Sequence, residues 1–569
     1  MKKKNGFTLV ELLAVIVVLA IILAITIPGF TRILKASKEK SFINQGLLVE
    51  EAVKKYELKN ELTFGEDGIA KIAIADLVSA NEIEEFFGPN GELCEGEVWV
   101  TKVGNIQEYE NVMKCGTYET TDYSLKIDEE SPLITLNGSA VIDVYQGSTF
   151  VDLGIIIEDN VDDEATLQGL KVVGGDIVDT GVIGEYIRTY NVTDTSDNIA
   201  IEQTRTINVI PDNIASLEQG RYYTGIVKDS GKLYMVGRNS VGSFGDGTST
   251  PQLTPVEITI TGETIASVSL GDMHTGIVTT SGKLYMTGYN FYGQLGDGTT
   301  DDKSIPVQVI IPDETIASVT AGYSHTGIIT TSGKLFVAGN NNDGQLGDGT
   351  TIQKETPFEI EITGETIKSI SLGAWNTGIV TNSGRLYMIG DGSEGQLGDG
   401  TYLRKSTPVE ILIPGETVAM VSLESFGHTG IVTNTGKLYM TGRNEYGQLG
   451  NGTTNGTNTP FQVTITGEEI ASISGGAWHT GILTTTGKLY MTGGNVDGEL
   501  GDGTFAPKST PVEISIFGET IASANIGGFS HTGIITDSGK LYLAGQNTFG
   551  QIGDGTQVDK ETPVEISIP

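Results

Sequence analysis

Three hydropathy rhythms follow one another along the chain. The first is the unbroken apolar run from Phe7 to Pro28 in "MKKKNGFTLVELLAVIVVLAIILAITIPGF", long enough to cross a hydrocarbon layer of roughly 30 Å as a helix. Helical spacing continues beyond it: Val49, Ala52, Val53 and Tyr56 recur at i, i+3, i+4 and i+7, giving one apolar face that needs a partner. A period of two then takes over. In "CEGEVWVTKVGNIQEYENVMKC" the pair Gly104-Asn105 suits a two-residue hairpin turn. Centring on that turn pairs residues whose numbers sum to 209, and Cys94 with Cys115 is such a pair, so the spacing predicts a disulfide across the hairpin.

Residues 128–211 alternate short Val/Ile/Thr/Tyr runs with Gly and Asp turns, at the length of a β-sandwich. From residue 212 the alternation becomes periodic. A "TG" recurs at Thr224, Thr275, Thr326, Thr377, Thr429, Thr480 and Thr532, in steps of 51, 51, 51, 52, 51 and 52 residues. Each unit holds four short strand patterns separated by turns, as in "ETIASVSLG", "HTGIVTT", "KLYMTG" and "PVEI". Such a unit repeated seven times predicts a closed β-propeller. The fold class is therefore mainly β: an N-terminal transmembrane and stalk α-helix (7–60) after a short leader (1–6), a small α+β head (61–127), a β-sandwich spacer (128–211) and a seven-bladed propeller (212–569).

Composition narrows the function. The formal net charge of -37 repels phosphate backbones, and no basic patch outside the N-terminus offsets it, which disfavours nucleic acid. Lys2, Lys3 and Lys4 precede the apolar run and should stay cytoplasmic. Glu11 is the only charge inside the run; a carboxylate costs about 2.5–3.5 kcal/mol at mid-membrane, so a paired or functional Glu is expected. Two cysteines make neither a disulfide framework nor a zinc motif.

"KKKNGFTLVELL" resembles the type IV prepilin signature. The resemblance implies cleavage by a prepilin peptidase between Gly6 and Phe7, methylation of the new amino terminus, and partnership with the pilus assembly machinery and other pilins. It also implies that Glu11 accepts a neighbouring subunit's Phe7 amine and that Pro28 kinks the stalk. The protein would then be a single-pass membrane protein displayed at the cell surface or on a pilus. Residues 128–211, with "DNVD", "YNVTD" and "TRTINV", resemble bacterial immunoglobulin-like surface domains. Residues 212–569 resemble the RCC1 repeat family, whose hallmark is "G..HT..L...G.....WG.N..GQLG.GT" and whose fold is a seven-bladed propeller. The Trp of that hallmark is replaced by Val236, Thr287, Ala338, Ile389, Thr441, Thr492 and Ala544, so lighter packing is expected at that layer. Secreted bacterial members of this family bind another protein across one end of the ring.

Candidate chemistry dissolves into the repeat. His274, His325, His428, His479 and His531 hold one repeat position, filled by Tyr223 and Asn376 in the other two units; a catalytic base is not needed five times over. Ser281 is a hairpin-turn residue without a GxSxG elbow, and Asp297 lies between two glycines in a tight turn. "GYNFYGQ" lacks the Lys-Ser/Thr of a P-loop. The propeller reads as non-enzymatic and without a cofactor. In the spacer, Asp159, Asp162, Asp163, Asp194 and Asp197 are candidate Ca2+ ligands at one end of the domain. Their spacing fits no EF-hand, and acidic turns are common in exported β-domains without a metal.

Residues that escape the repeat are free to serve a partner. The turn ahead of each "HTG" carries one bulky side chain: Tyr222, Met273, Tyr323, Trp375, Phe426, Trp478 and Phe529. In a ring these would gather round one mouth of the channel, as a ligand-binding face or as a cap on the core. A second variable set, Phe291, Tyr292, Glu445, Tyr446, Val496, Asp497 and Phe549, lies in the long loops. The expectation is a minor pilin whose propeller is an adhesin or recognition head for an extracellular protein or glycan. The alternatives are a membrane-anchored binding or inhibitor protein outside any filament, and a polysaccharide-degrading enzyme.

Overall fold

The computed structural model describes residues 48–119 with short gaps, and 130–569 apart from 161, 196 and 425. Gly6, Phe7, Glu11, Pro28 and the apolar run lie outside the described residues, as does the Gly104-Asn105 turn. Among the described residues no helix is long and apolar enough to cross a membrane.

Residues 51–57 are helical, and the stripe read from the sequence finds its partner. Val49, Ala52 and Val53 are buried with Tyr56 against Ala70, Ile72, Val98 and Val100, which belong to an antiparallel meander of Ile69–Ala73, Glu95–Val103, Ile106–Cys115 and Tyr118–Glu119. The register runs from Glu95↔Lys114 to Val103↔Ile106, the pairing that centres on Gly104-Asn105. Cys94 and Cys115 form a disulfide at the base of this hairpin.

The immunoglobulin-like region has a four-stranded sheet ordered Val141–Tyr145, Gln203–Ile210, Gly184–Asn191, Val172–Gly175, and a two-stranded sheet of Leu133–Leu136 with Ile155–Glu158. Ile134, Ile155 and Ile157 of the small sheet share a core with Tyr190, Val192 and Leu167. A polar network missed in the sequence crosses this core. Fully buried Arg205 donates to Asp152 Oδ1 at 2.7 Å and to the Asn137 carbonyl at 2.6 Å, while Tyr190 Oη donates to the same carboxylate.

Residues 210–569 form a compact unit of seven four-stranded antiparallel meanders. The first is Ile214–Gln219, Tyr223–Lys228, Leu233–Gly237, Gln252–Ile258; the last is Ile521–Gly527, His531–Thr536, Leu541–Gly545, Lys560–Ile566. Each blade takes its strands consecutively from the chain, so the ring closes by packing and not by exchange of a strand. Leu217, Ile226 and Tyr234 of the first blade share a core with Ile535, Leu541, Leu543 and Ile552 of the last. The long loop of each blade also bonds the outer strand of the next: Gly247 N–H donates to the Ser304 carbonyl, Gly298 to Glu355, and, across the closure, Gly555 to Leu253.

The glycine of "HTG" is explained by this packing. A Cβ on Gly276 would lie 2.8 Å from Val319 of the following blade, and one on Gly533 would lie 2.2 Å from Leu217 across the closure. The layer where the repeat family carries Trp is fully buried here, with Val236 0% and Ala338 1% exposed. In three blades a threonine replaces bulk with hydrogen bonds: Thr287, Thr441 and Thr492 donate to the Gly242, Gly395 and Gly447 carbonyls of the preceding blade.

Candidate recognition face

The meander fixes what each end of the ring displays. Turns from first to second strand and loops from third to fourth strand share one end; the second-to-third hairpins face the other. The turn ahead of "HTG" and the variable long loops therefore meet at one mouth, and ring contacts join them. Tyr222 lies 4.8 Å from Phe549, and Tyr446 lies 5.2 Å from Trp478.

The seven bulky side chains gather there in two registers. Tyr222, Met273, Trp375 and Trp478 stand immediately before the residue that opens the second strand; Tyr323, Phe426 and Phe529 stand one residue earlier, followed by Ser324, Gly427 and Ser530. The earlier register points inward. Tyr323 and Phe529 line the channel cavity, and Phe426 of the fifth blade reaches Phe529 of the seventh at 5.1 Å. Phe426 also stacks on Trp478 at 4.8 Å and meets Trp375 edge-on at 6.1 Å. The aromatics thus form one cluster across the mouth rather than a collar of equivalent positions. Trp375 is 36% exposed, and the other six are half-buried.

Below the cluster lies a cavity of about 160 Å³ walled by the innermost strands. On those strands the residues that pair with the "HTG" glycines are Glu218, Ser269, Thr320, Ser371, Ser422, Ser474 and Asn525, of which Glu218, Ser422, Ser474 and Asn525 line the cavity. Ser269, Ser371 and Ser474 accept the Ala321, Leu423 and Ile526 N–H of the next blade. Glu218 and Asn525 interrupt this hydroxyl ring, and a second carboxyl, Glu424, lies two residues beyond Ser422. Enclosure pushes Glu218 up to about 7, against the opposing Asn525 amide. Glu424, 4% exposed, is pushed up to about 8 by burial, against hydrogen bonds from Ser422 and Gly475. Gly475 stands where Leu270, Leu372 and Leu423 stand in other blades, and a Cβ there would lie 2.3 Å from the Glu424 carboxyl carbon. At the rim Arg221 pairs with Asp272 at 3.3 Å; burial still pushes Asp272 up to about 6.

The apparent His–Ser–Asp set of one blade is spent on the scaffold. His274 Nε2 lies 2.9 Å from Thr326 Oγ1 of the next blade. That hydroxyl donates to the Gln294 carbonyl, so it accepts from the histidine, and the proton sits on Nε2. His325, His428, His479 and His531 repeat the arrangement with Thr377, Thr480, Thr532 and Thr224; Tyr223 Oη, in the same place, donates instead to the His274 carbonyl at 2.8 Å, with Thr275 Oγ1 3.2 Å away. Burial pushes the five imidazoles down to about 3, or about 4 for His325, so they are neutral. Ser281 Oγ donates to Glu263, 2.6 Å away. Asp297 accepts from Thr299 and Asn290 and pairs with Lys303.

The spacer carboxylates are used as turn and cap acceptors. Asp159 accepts from Asp162 N–H, Asp162 from Thr195, Asp163 from Thr166 at a helix N-cap, and Asp194 from Asn198, while Asp197 holds φ 71°. Among the described residues no three His, Cys, Asp or Glu side chains converge in a metal-holding group.

Seven consecutive-strand blades, a closed ring and one aromatic mouth define a repeat β-propeller. The chain belongs to the RCC1-like domain family, whose model matches residues 259–569; an RCC1 repeat model matches 230–278. A prokaryotic N-terminal methylation motif matches residues 1–27, and a bacterial surface protein Ig-like domain matches 134–209. The chain is 32% identical to the ultraviolet-B receptor UVR8 of Arabidopsis thaliana over 333 residues, covering 58% of this chain and 76% of that protein. Among solved structures it is similar to human WBSCR16, with TM-score 0.54 and 21% identity over 59% of this chain and 94% of that one. It is also similar to yeast RCC1 (Prp20) bound to Kap60, with TM-score 0.52 and 18% identity over 63% and 85% of the two chains.

Proposed function

We propose that this protein is a minor type IV pilin or pilin-like surface protein whose propeller is an adhesin-type recognition head for an extracellular protein or glycan. The observation that carries the recognition reading is the cluster at the mouth. Tyr222, Tyr323, Trp375, Phe426, Trp478 and Phe529 escape the repeat, touch one another across the ring and keep accessible faces. Large rigid rings of this kind anchor interfaces at small entropic cost. The pilin reading is supported by the methylation motif over residues 1–27, and the Ig-like match suits display at a surface. A propeller of this size would crowd a shaft if every subunit carried one, so a sparse or terminal position in the filament is expected.

Two measurements test this. The full chain applied to a glycan array and to a surface-protein pull-down supplies ligands. Trp375→Ala with Trp478→Ala should abolish their capture while shifting thermal unfolding by less than about 2 °C, since both side chains lie at the rim. A large loss of stability with capture retained would make the cluster a cap on the core instead. For assembly, Glu11→Val should remove the protein from purified filaments, and unchanged incorporation would overturn the assembly role of Glu11; absence of the parent protein from filaments would leave the reading of a membrane-anchored binding protein outside the filament.

A further inference from the structure

We propose that the mouth end of the seam between the first and seventh blades is the docking site for an acidic segment of a protein partner, held by Arg221 and Arg238; this rests on the recognition reading above. Two guanidiniums are interleaved with three rings there. Arg221 lies over Phe529 at 4.0 Å and over Tyr222 at 5.0 Å. Arg238 lies over the same Tyr222 at 5.6 Å and over Phe549 at 5.3 Å. A guanidinium laid flat on a ring keeps its edge N–H groups for a carboxylate, which it grips with two parallel hydrogen bonds.

Arginine is not the rule at either repeat position. The other blades place Asp272, Tyr323, Ala374 or Ala477 where Arg221 stands; where Arg238 stands they place Tyr289, Asn340, Asp391, Gly494 and Gln546, with Arg443 in the fifth blade, over Trp478 at 4.7 Å. Residues 212–569 contain five arginines in a chain of net charge -37, and four of them, Arg221, Arg238, Arg404 and Arg443, lie in turns and loops of the mouth end. The lysines at this end are spent inside their own loops, as Lys303 is on Asp297 and Lys354 on Asp348. Arg221 is partly offset by Asp272, 3.3 Å away. Arg238 donates Nε–H to Ser240 Oγ; among the described residues no carboxylate is in ion-pair contact with it, and Asp272 acts on it only at longer range.

The interleaved rings favour a protein segment. Tyr, Trp and Arg are the residues that dominate protein–protein hot spots, where apolar anchors sit beside desolvated charges. Phe291, Ile352, Tyr402, Leu403 and Tyr446 extend an exposed apolar surface over the same end, wider than one sugar ring could cover. An acidic segment is also the partner that a strongly negative protein would otherwise repel, so concentrating arginine here confers selectivity for this site.

The test is selection of a random dodecapeptide phage library on the detergent-solubilised full chain, counter-selected on empty detergent micelles. Enriched peptides should carry two or more Asp or Glu beside an aromatic or aliphatic residue. They should bind Arg238→Gln at least tenfold more weakly, regain little with Arg238→Lys, and weaken between 0.05 and 0.5 M NaCl. Near-UV circular dichroism of each variant confirms the fold. Neutral or basic enriched peptides, equal binding to the arginine variants, or enrichment of no peptide while oligogalacturonate binds would each overturn the acidic-protein assignment. Ligands lost with Trp375→Ala/Trp478→Ala but kept by the arginine variants would overturn it while leaving the recognition face intact. Ligands indifferent to both sets would remove the face as well.

Discussion

A single buried carboxyl shows how a departure from a repeat can be chemically constrained. Glu424 is accommodated because Gly475 vacates a leucine position, and the Ser422 hydroxyl, 2.6 Å away, satisfies one oxygen. Its folded pKa of about 8 lies above the ordinary 4.5. A raised acid stabilises the fold fully below its unfolded pKa, and that contribution is lost as pH rises through the folded value. Glu424→Gln, which keeps the shape and never ionises, should therefore match the parent near pH 4.5 and exceed its Tm by about 2 °C or more at pH 9. A pH-independent difference would mean that the carboxyl is not held neutral. Nothing in the sequence marked Glu424, because its partner in the compensation is a glycine in a chain full of glycines.

Elements were legible where one physical contact repeats. The "HTG" glycine recurs because each blade needs the same close approach to the next, so the period announced both the blade count and the ring. The hairpin register was legible from its turn. The mouth was legible only in part. Its seven bulky residues were found, but their two registers were not, although the steps of 52 residues ending at Thr429 and Thr532 mark the turns that gained a residue. Cation–ring stacking and the Arg205 network join residues distant in sequence, which leaves no period to read. Two predictions belong at this scale. Gly533→Val, which drives a side chain into Leu217 at the closure, should cost about 1–3 kcal/mol in denaturant unfolding of the propeller. Cys94→Ala with Cys115→Ala opens a cross-link spanning 21 residues and should cost the head about 3 kcal/mol, leaving the propeller transition where it was.

At the scale of the whole molecule, closure by packing leaves the ring dependent on seven interfaces, five of which carry a buried neutral histidine bonded to the next blade's threonine. Each Nδ1 is buried without a hydrogen-bond partner, so a second proton on the ring would be an uncompensated charge. The unfolded chain takes that proton at about pH 6.5, whereas the folded imidazoles are pushed down to about 3 or, for His325, about 4. Stability from these groups is therefore complete above about pH 6.5 and is lost as pH falls toward 3. Glu218, Glu424 and Glu499, raised to about 7, 8 and 7, act in the opposite sense, losing their contribution as pH rises from 4.5 through those values. Between pH 4.5 and 6.5 the two sets oppose each other, five imidazoles against three carboxyls, so stability should fall as pH falls with a net slope of about two protons. Below pH 4.5 the three glutamates become protonated in the unfolded chain as well and their opposition fades, while carboxylates held below their ordinary value, such as Asp297 and Asp348, add to the effect of the histidines. The histidines should then supply about four protons of the slope of unfolding free energy against pH, on top of the share from the lowered carboxylates, and His428→Gln/His479→Gln should lower the slope by about two. An unchanged slope would mean that the interfacial imidazoles already carry charge in the folded ring.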